Sequence, residues 1–113
     1  MLNDYLKAGN VSKAVSHFEI SALYGSKQSQ VILANRYEKG DGVEQDYKRA
    51  YVYYNLAYRQ PTLYGLWKPP NNEKHRDIIN RLREQISKDD WRWAKKEMLR
   101  HEKEFSSRIN KPR

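Results

Sequence analysis

At 113 residues and 13.6 kDa the chain has the length of one domain, which excludes a large catalytic domain beside a separate binding domain. Hydrophobic residues make up 38% and mean hydropathy is −1.08, yet aromatics reach 12%, so the chain is expected to fold around a modest core rich in its nine tyrosines. Net charge is +8, of which residues 61–113 carry +6, and the absence of cysteine excludes disulfides and thiolate chemistry.

No segment holds ~18 consecutive apolar residues, so membrane insertion is not expected. The start, Met1-Leu2-Asn3-Asp4, lacks the basic and then apolar regions of a signal peptide, which makes a soluble, cytoplasmic protein the expectation.

Residues 3–8 suffice for only about two helical turns before Gly9-Asn10. Next comes one half of an internal repeat at an offset of 36: Asn10-Val11-Ser12-Lys13-Ala14 aligns with Asp46-Tyr47-Lys48-Arg49-Ala50, Phe18 with Tyr54 and Ser21 with Ala57. Each copy opens on a side chain able to cap a helix, followed by a basic residue, an alanine, and an aromatic four positions further on. His17 aligns with Tyr53 and is read as a packing position.

Between the copies, the stretch from Ser29 to Lys39 places Gln30, Leu33, Ala34 and Tyr37 on one helical face. Gly40 and Gly42 stop that helix, because glycine takes left-handed backbone conformations at little cost. A second helix restarts at Asp46, whose carboxylate can accept the free backbone donors of the first turn. Ala50, Tyr53, Tyr54 and Ala57 form its inward stripe, small alanines allowing close helix approach; Tyr47, Tyr51 and Tyr58 form a second stripe, so this helix is expected to be sandwiched.

Residues 60–72 hold three prolines and a glycine and read as a loop, with Leu63, Tyr64, Leu66 and Trp67 packing down. A helix resumes near Glu73 with Ile78, Ile79, Leu82 and Ile86 at core spacing. Ser87-Lys88-Asp89-Asp90 resembles a capping box before the final helix, whose core residues are Trp91, Ala94, Met98 and Phe105.

The run from Leu33 to Val43, then Asp46, Arg49-Ala50, Tyr53-Tyr54 and Ala57, resembles a Sel-one-like repeat, a relative of tetratricopeptide repeats. That pattern reads Leu-Gly, Tyr, Gly-x-Gly-Val, Asp, Lys-Ala, Trp-Tyr, Ala; here Ala34 replaces Gly, Arg49 replaces Lys and Tyr53 replaces Trp. The ending resembles the terminal helix pair that closes bacterial members. The resemblance implies an all-α fold, an α-α superhelix fragment closed by a C-terminal helix pair. One domain then divides into a partial repeat (1–25), a complete repeat (26–60), a loop (61–72), closing helices (73–106) and a basic tail (107–113). It further implies a bacterial adaptor that binds another protein on the concave face of its first helices, with no catalysis and no cofactor. The candidate partner-binding residues are Val31, Ile32, Asn35, Arg36, Tyr51 and Tyr58, and tyrosine suits such a role. Because repeats bury their apolar faces mainly against neighbours, the face around Leu2, Tyr5, Val31 and Ile32 is expected to need cover, by a partner, by a second copy in a homo-oligomer, or by further repeats of a longer array of which this is the C-terminal part.

Enzyme chemistry finds no support. His17, His75 and His101 fall on three different predicted helices without metal-ligand spacing, Gly40-Asp41-Gly42 lacks the further residues of a phosphate loop, and Asp89-Asp90 is explained by capping. The alternative to an adaptor is a basic nucleic-acid-binding protein that uses Arg92, Lys95, Lys96, Arg100 and Lys103 interleaved with Trp91 and Trp93, by phosphate contact and base stacking. Glu97, Glu102 and Glu104 interrupt that field and pair at helical spacing, so only weak, nonspecific association with nucleic acid is expected.

Overall fold

The computed structural model describes residues 11–59 and 72–109, with side chains from 13–59 and 72–104. The short helix expected over 3–8, the cap at Asn10, the packed loop residues Leu63, Tyr64, Leu66 and Trp67, and the Phe105 side chain lie outside them. The described chain is all α-helical: α1 (Val11–Leu23), α2 (Lys27–Lys39), α3 (Tyr47–Tyr58), α4 (Glu73–Gln85) and α5 (Lys88–Ile109). The helices α1 and α3 begin 36 residues apart, the offset of the sequence repeat.

Local chemistry sets the helix limits. The hydroxyl of Ser26 accepts from Ser29 N at 3.3 Å, so α2 starts two residues before Ser29, where the apolar spacing alone begins it. At its other end Gly40 is left-handed (φ 71°, ψ 36°), and an added Cβ would come within 3.2 Å of Gln45 Cβ. The turn then folds back on the orphan carbonyls of α2. Asp41 N donates to Arg36 O (2.9 Å), Asp46 N to Tyr37 O (2.8 Å) and the Gln45 amide to Glu38 O (2.8 Å).

Asp46 caps α3 by accepting from Lys48 N and Arg49 N at 3.1 and 3.2 Å. Asn72 does the same for α4, and Ser87 Oγ accepts from Asp90 N at 3.1 Å, the forward half of the capping box. The last helix runs to Ile109, past the limit of 106 expected for the closing helices, because Ser106-Ser107 is too mild a break to end a helix.

The core lies where the two repeat stripes meet. Leu33 and Ala34 of α2 and Ala50 of α3 are fully buried, with Tyr37, Tyr53, Tyr54 and Ala57 close to it, and α2 against α3 is the most extensive helix contact. Seven of the twelve residues of α3 are buried, since α2, α4 and α5 all pack on it. Ile79 and Leu82 dock α4, and Ala94 and Met98 dock α5. A smaller contact joins α5 to α1. His17 is exposed, contrary to its alignment with Tyr53: Tyr53 is covered by Tyr37 and by His101 of α5, whereas α5 reaches α1 only marginally.

Candidate functional site

Residues 31, 35 and 38 line up at helical spacing on the edge of α2 away from its core stripe. From that edge a polar chain crosses three helices. The Asn35 amide donates to Tyr54 Oη at 3.4 Å, Tyr54 Oη donates to Glu38 Oε1 at 3.1 Å, and the Arg81 guanidinium of α4 donates to Glu38 Oε2 at 2.7 Å. Burial and then the Glu38 carboxylate push the Tyr54 phenol up, so it remains a donor. One turn further along α3, Tyr58 stacks on Tyr54 (centroids 5.6 Å apart), and His75 of α4 lies flat on Tyr58 at 3.6 Å with planes 5° apart. The result is a row of half-buried groups, Val31, Asn35, Glu38, Tyr58 and His75, around the buried Tyr54, with α2 and α4 flanking the tyrosines of α3.

Of the sequence candidates, Val31, Asn35 and Tyr58 belong to this row. Ile32, half-buried, lies on the other flank of Asn35. Two candidates are elsewhere. Tyr51 is only 3% exposed and sits in the core, because α3 is enclosed on more than one side. Arg36 turns to the helix end, donating to Asp41 O at 3.1 Å and pairing with Asp41 Oδ2 at 3.3 Å; its side chain is 11% exposed and ties down the glycine turn. Neither presents a surface to a partner. Sequence reasoning missed Glu38, His75 and Arg81. Glu38 follows Asn35 by three residues on the same face and could have been found, but Arg81 is 43 residues from Glu38 and no local signal joins them.

The basic helix is less uniform than its sequence. Arg100 is held by Glu97 through two hydrogen bonds at 2.9 and 3.3 Å, which lowers the Glu97 pKa and raises that of Arg100. Arg92 lies 3.5 Å from Asp89 in a solvent-exposed pair. The Trp91 ring carries the Arg83 guanidinium at 3.9 Å and the Lys95 ammonium at 4.2 Å, and Trp93 carries Lys48 and Arg49 at 5.1 and 5.2 Å. Lys96 and Lys103 are exposed.

A cleft of about 710 Å³ opens between the α2–α3 turn and the α4–α5 corner, lined by Tyr37, Val43, Asp46, Lys48, Arg49 and Ile86 among others. Of its charged lining, Asp46 pairs with Lys48 at 3.3 Å and with Arg49 at 3.1 Å. Among the described residues no group of three or more His, Asp or Glu side chains is placed to hold a metal ion, and no helix is long and apolar enough to cross a membrane.

Comparison with protein-family models, with curated proteins and with solved structures returned no match.

Proposed function

We propose that this chain is a helical repeat scaffold of the Sel-one-like type, a superhelix fragment closed by α4 and α5, and that it acts as an adaptor by binding a segment of another protein along the α2–α4 edge. The observation that carries this reading is the row of Val31, Asn35, Tyr58 and His75 around the Glu38–Tyr54–Arg81 chain. It joins apolar surface, aromatic faces and polar groups held by their neighbours, the mixture on which peptide segments dock. Two facts add support: α1 and α3 begin one repeat length apart, and the glycine turn closes onto α2 as the repeat pattern requires. The scaffold reading invokes no catalysis and no cofactor.

The test compares wild type with Val31→Glu and with Lys13→Glu, which adds the same charge change or more at an exposed position of a different helix, α1. Proteins captured by the immobilised wild type, and identified by mass spectrometry, should be retained by Lys13→Glu and lost at least about tenfold by Val31→Glu, a cost of about 1.4 kcal/mol in binding. Capture by Val31→Glu equal to wild type, with an unchanged melting temperature, would move the site away from this edge.

A further inference from the structure

An α-helix turns about 100° per residue, so Lys88, Arg92, Lys95, Lys96, Leu99 and Lys103 fall within an arc of about 100° on α5. All six are exposed, Leu99 to 50%. The opposite side of the helix carries the buried Ala94, Met98 and His101, so this arc points outward. Among the described residues, no ion pair engages Lys88, Lys96 or Lys103, and the partner of Arg92 is itself 91% exposed. Arg100 leaves the set, neutralised by Glu97 on the flank. What remains is a basic face spanning about 22 Å at 1.5 Å rise per residue, flanked by Asp89 and Glu102 and with Lys95 lying also over Trp91, in a chain of net charge +8.

The chemistry of this face selects among anionic ligands. Base stacking on single strands needs open aromatic faces, but Trp91 and Trp93 already carry cations of this chain. An acidic protein surface of useful affinity needs a packed aromatic or apolar anchor, and a membrane needs an apolar wedge or lipid chain beside the basic residues; Leu99 alone supplies neither. Duplex phosphates require only charge in a line.

We propose that the outward face of α5 binds the phosphate backbone of double-stranded nucleic acid without regard to base sequence. The mode differs from that suggested by the Trp-Lys-Arg interleaving, because it uses the lysine row and no stacking. It is also independent of the α2–α4 edge.

Fluorescence anisotropy with labelled 20-base-pair duplexes of DNA and of RNA, over about 50 to 200 mM salt, tests it. For the DNA duplex, log affinity should fall linearly with log salt, by about 0.9 for each phosphate contacted. Lys96→Glu with Lys103→Glu should weaken binding at least about tenfold and reduce that slope by about 2. Lys27→Glu with Lys39→Glu makes the same change in net charge on exposed positions of α2 and should leave the slope unchanged. The four altered side chains are exposed, and circular dichroism of each variant verifies the fold; the Lys96→Gln, Lys103→Gln form repeats the test without charge reversal. Tighter binding by either duplex supports the proposal and identifies the source of the phosphates. Equal weakening by the α2 variant, tighter binding of a single strand than a duplex, or binding only of polyglutamate or phosphatidylserine vesicles overturns it.

Discussion

His101 is the residue whose environment departs furthest from what its position in the sequence suggests. It lies in a run of charged residues, yet it is 9% exposed, with its ring edge-on to Tyr53 of α3 and Nδ1 buried without a partner. Burial, and then the positive charge of Arg100, hold its pKa below the ordinary imidazole value of 6.5, partly offset by Glu97 and Glu104 on the same helix. The folded state therefore binds fewer protons at this site than the unfolded chain. The contribution of this site is full above about pH 6.5 and is lost as pH falls from there towards the depressed pKa. Urea denaturation across this window should show the decline in wild type and a flatter profile in His101→Leu; the Glu97 carboxylate, held below its ordinary 4.5, contributes only at lower pH. Identical profiles would mean that protonation of His101 is tolerated in place. The sequence placed three residues of the candidate row, Val31, Asn35 and Tyr58, from helical spacing and the repeat resemblance. The second tyrosine stripe already implied a sandwiched α3, but the stripe alone could not separate buried Tyr51 from half-buried Tyr58, because which members are covered depends on how the neighbouring helices pack.

At the scale of elements, helix ends were the most legible feature. Gly40 and Asp46 act within a few residues of where they stand, through a left-handed backbone and a carboxylate that reaches the first-turn amides. Asp46 also gathers Lys48 and Arg49, both partly exposed, so most of its contribution is expected from capping rather than charge. Asp46→Ala should cost about 1 to 2 kcal/mol, and Asp46→Asn, which keeps an accepting oxygen, should recover most of that loss in chemical denaturation. An Asn variant as weak as the Ala variant would assign the effect to the ion pairs. The start of α2 was misplaced by two residues because Ser26 caps a first turn that carries no apolar signal of its own.

For the whole molecule, the decisive feature is that α3 touches α2, α4 and α5. Helices sharing one central neighbour should unfold together, so far-UV circular dichroism and aromatic fluorescence should report one coincident transition. Ala50 is fully buried where α2 and α3 approach most closely. Ala50→Leu should lower both signals together, by about 1 to 3 kcal/mol through overpacking. A shift in only one of them would show that the closing helices fold separately.

Helix identity, the helix ends set by Gly40 and Asp46, and the inward faces of α2 and α3 were determined by the sequence alone, since capping and periodicity act over a few residues along the chain. Tertiary structure decided where the later helices act: that Arg81 reaches Glu38, that His75 covers Tyr58, that Trp91 and Trp93 carry cations, and that Lys88, Lys96 and Lys103 form no ion pair among the described residues. These contacts join positions up to 45 residues apart, and their partners follow from how α4 and α5 pack on α3, which no local pattern encodes.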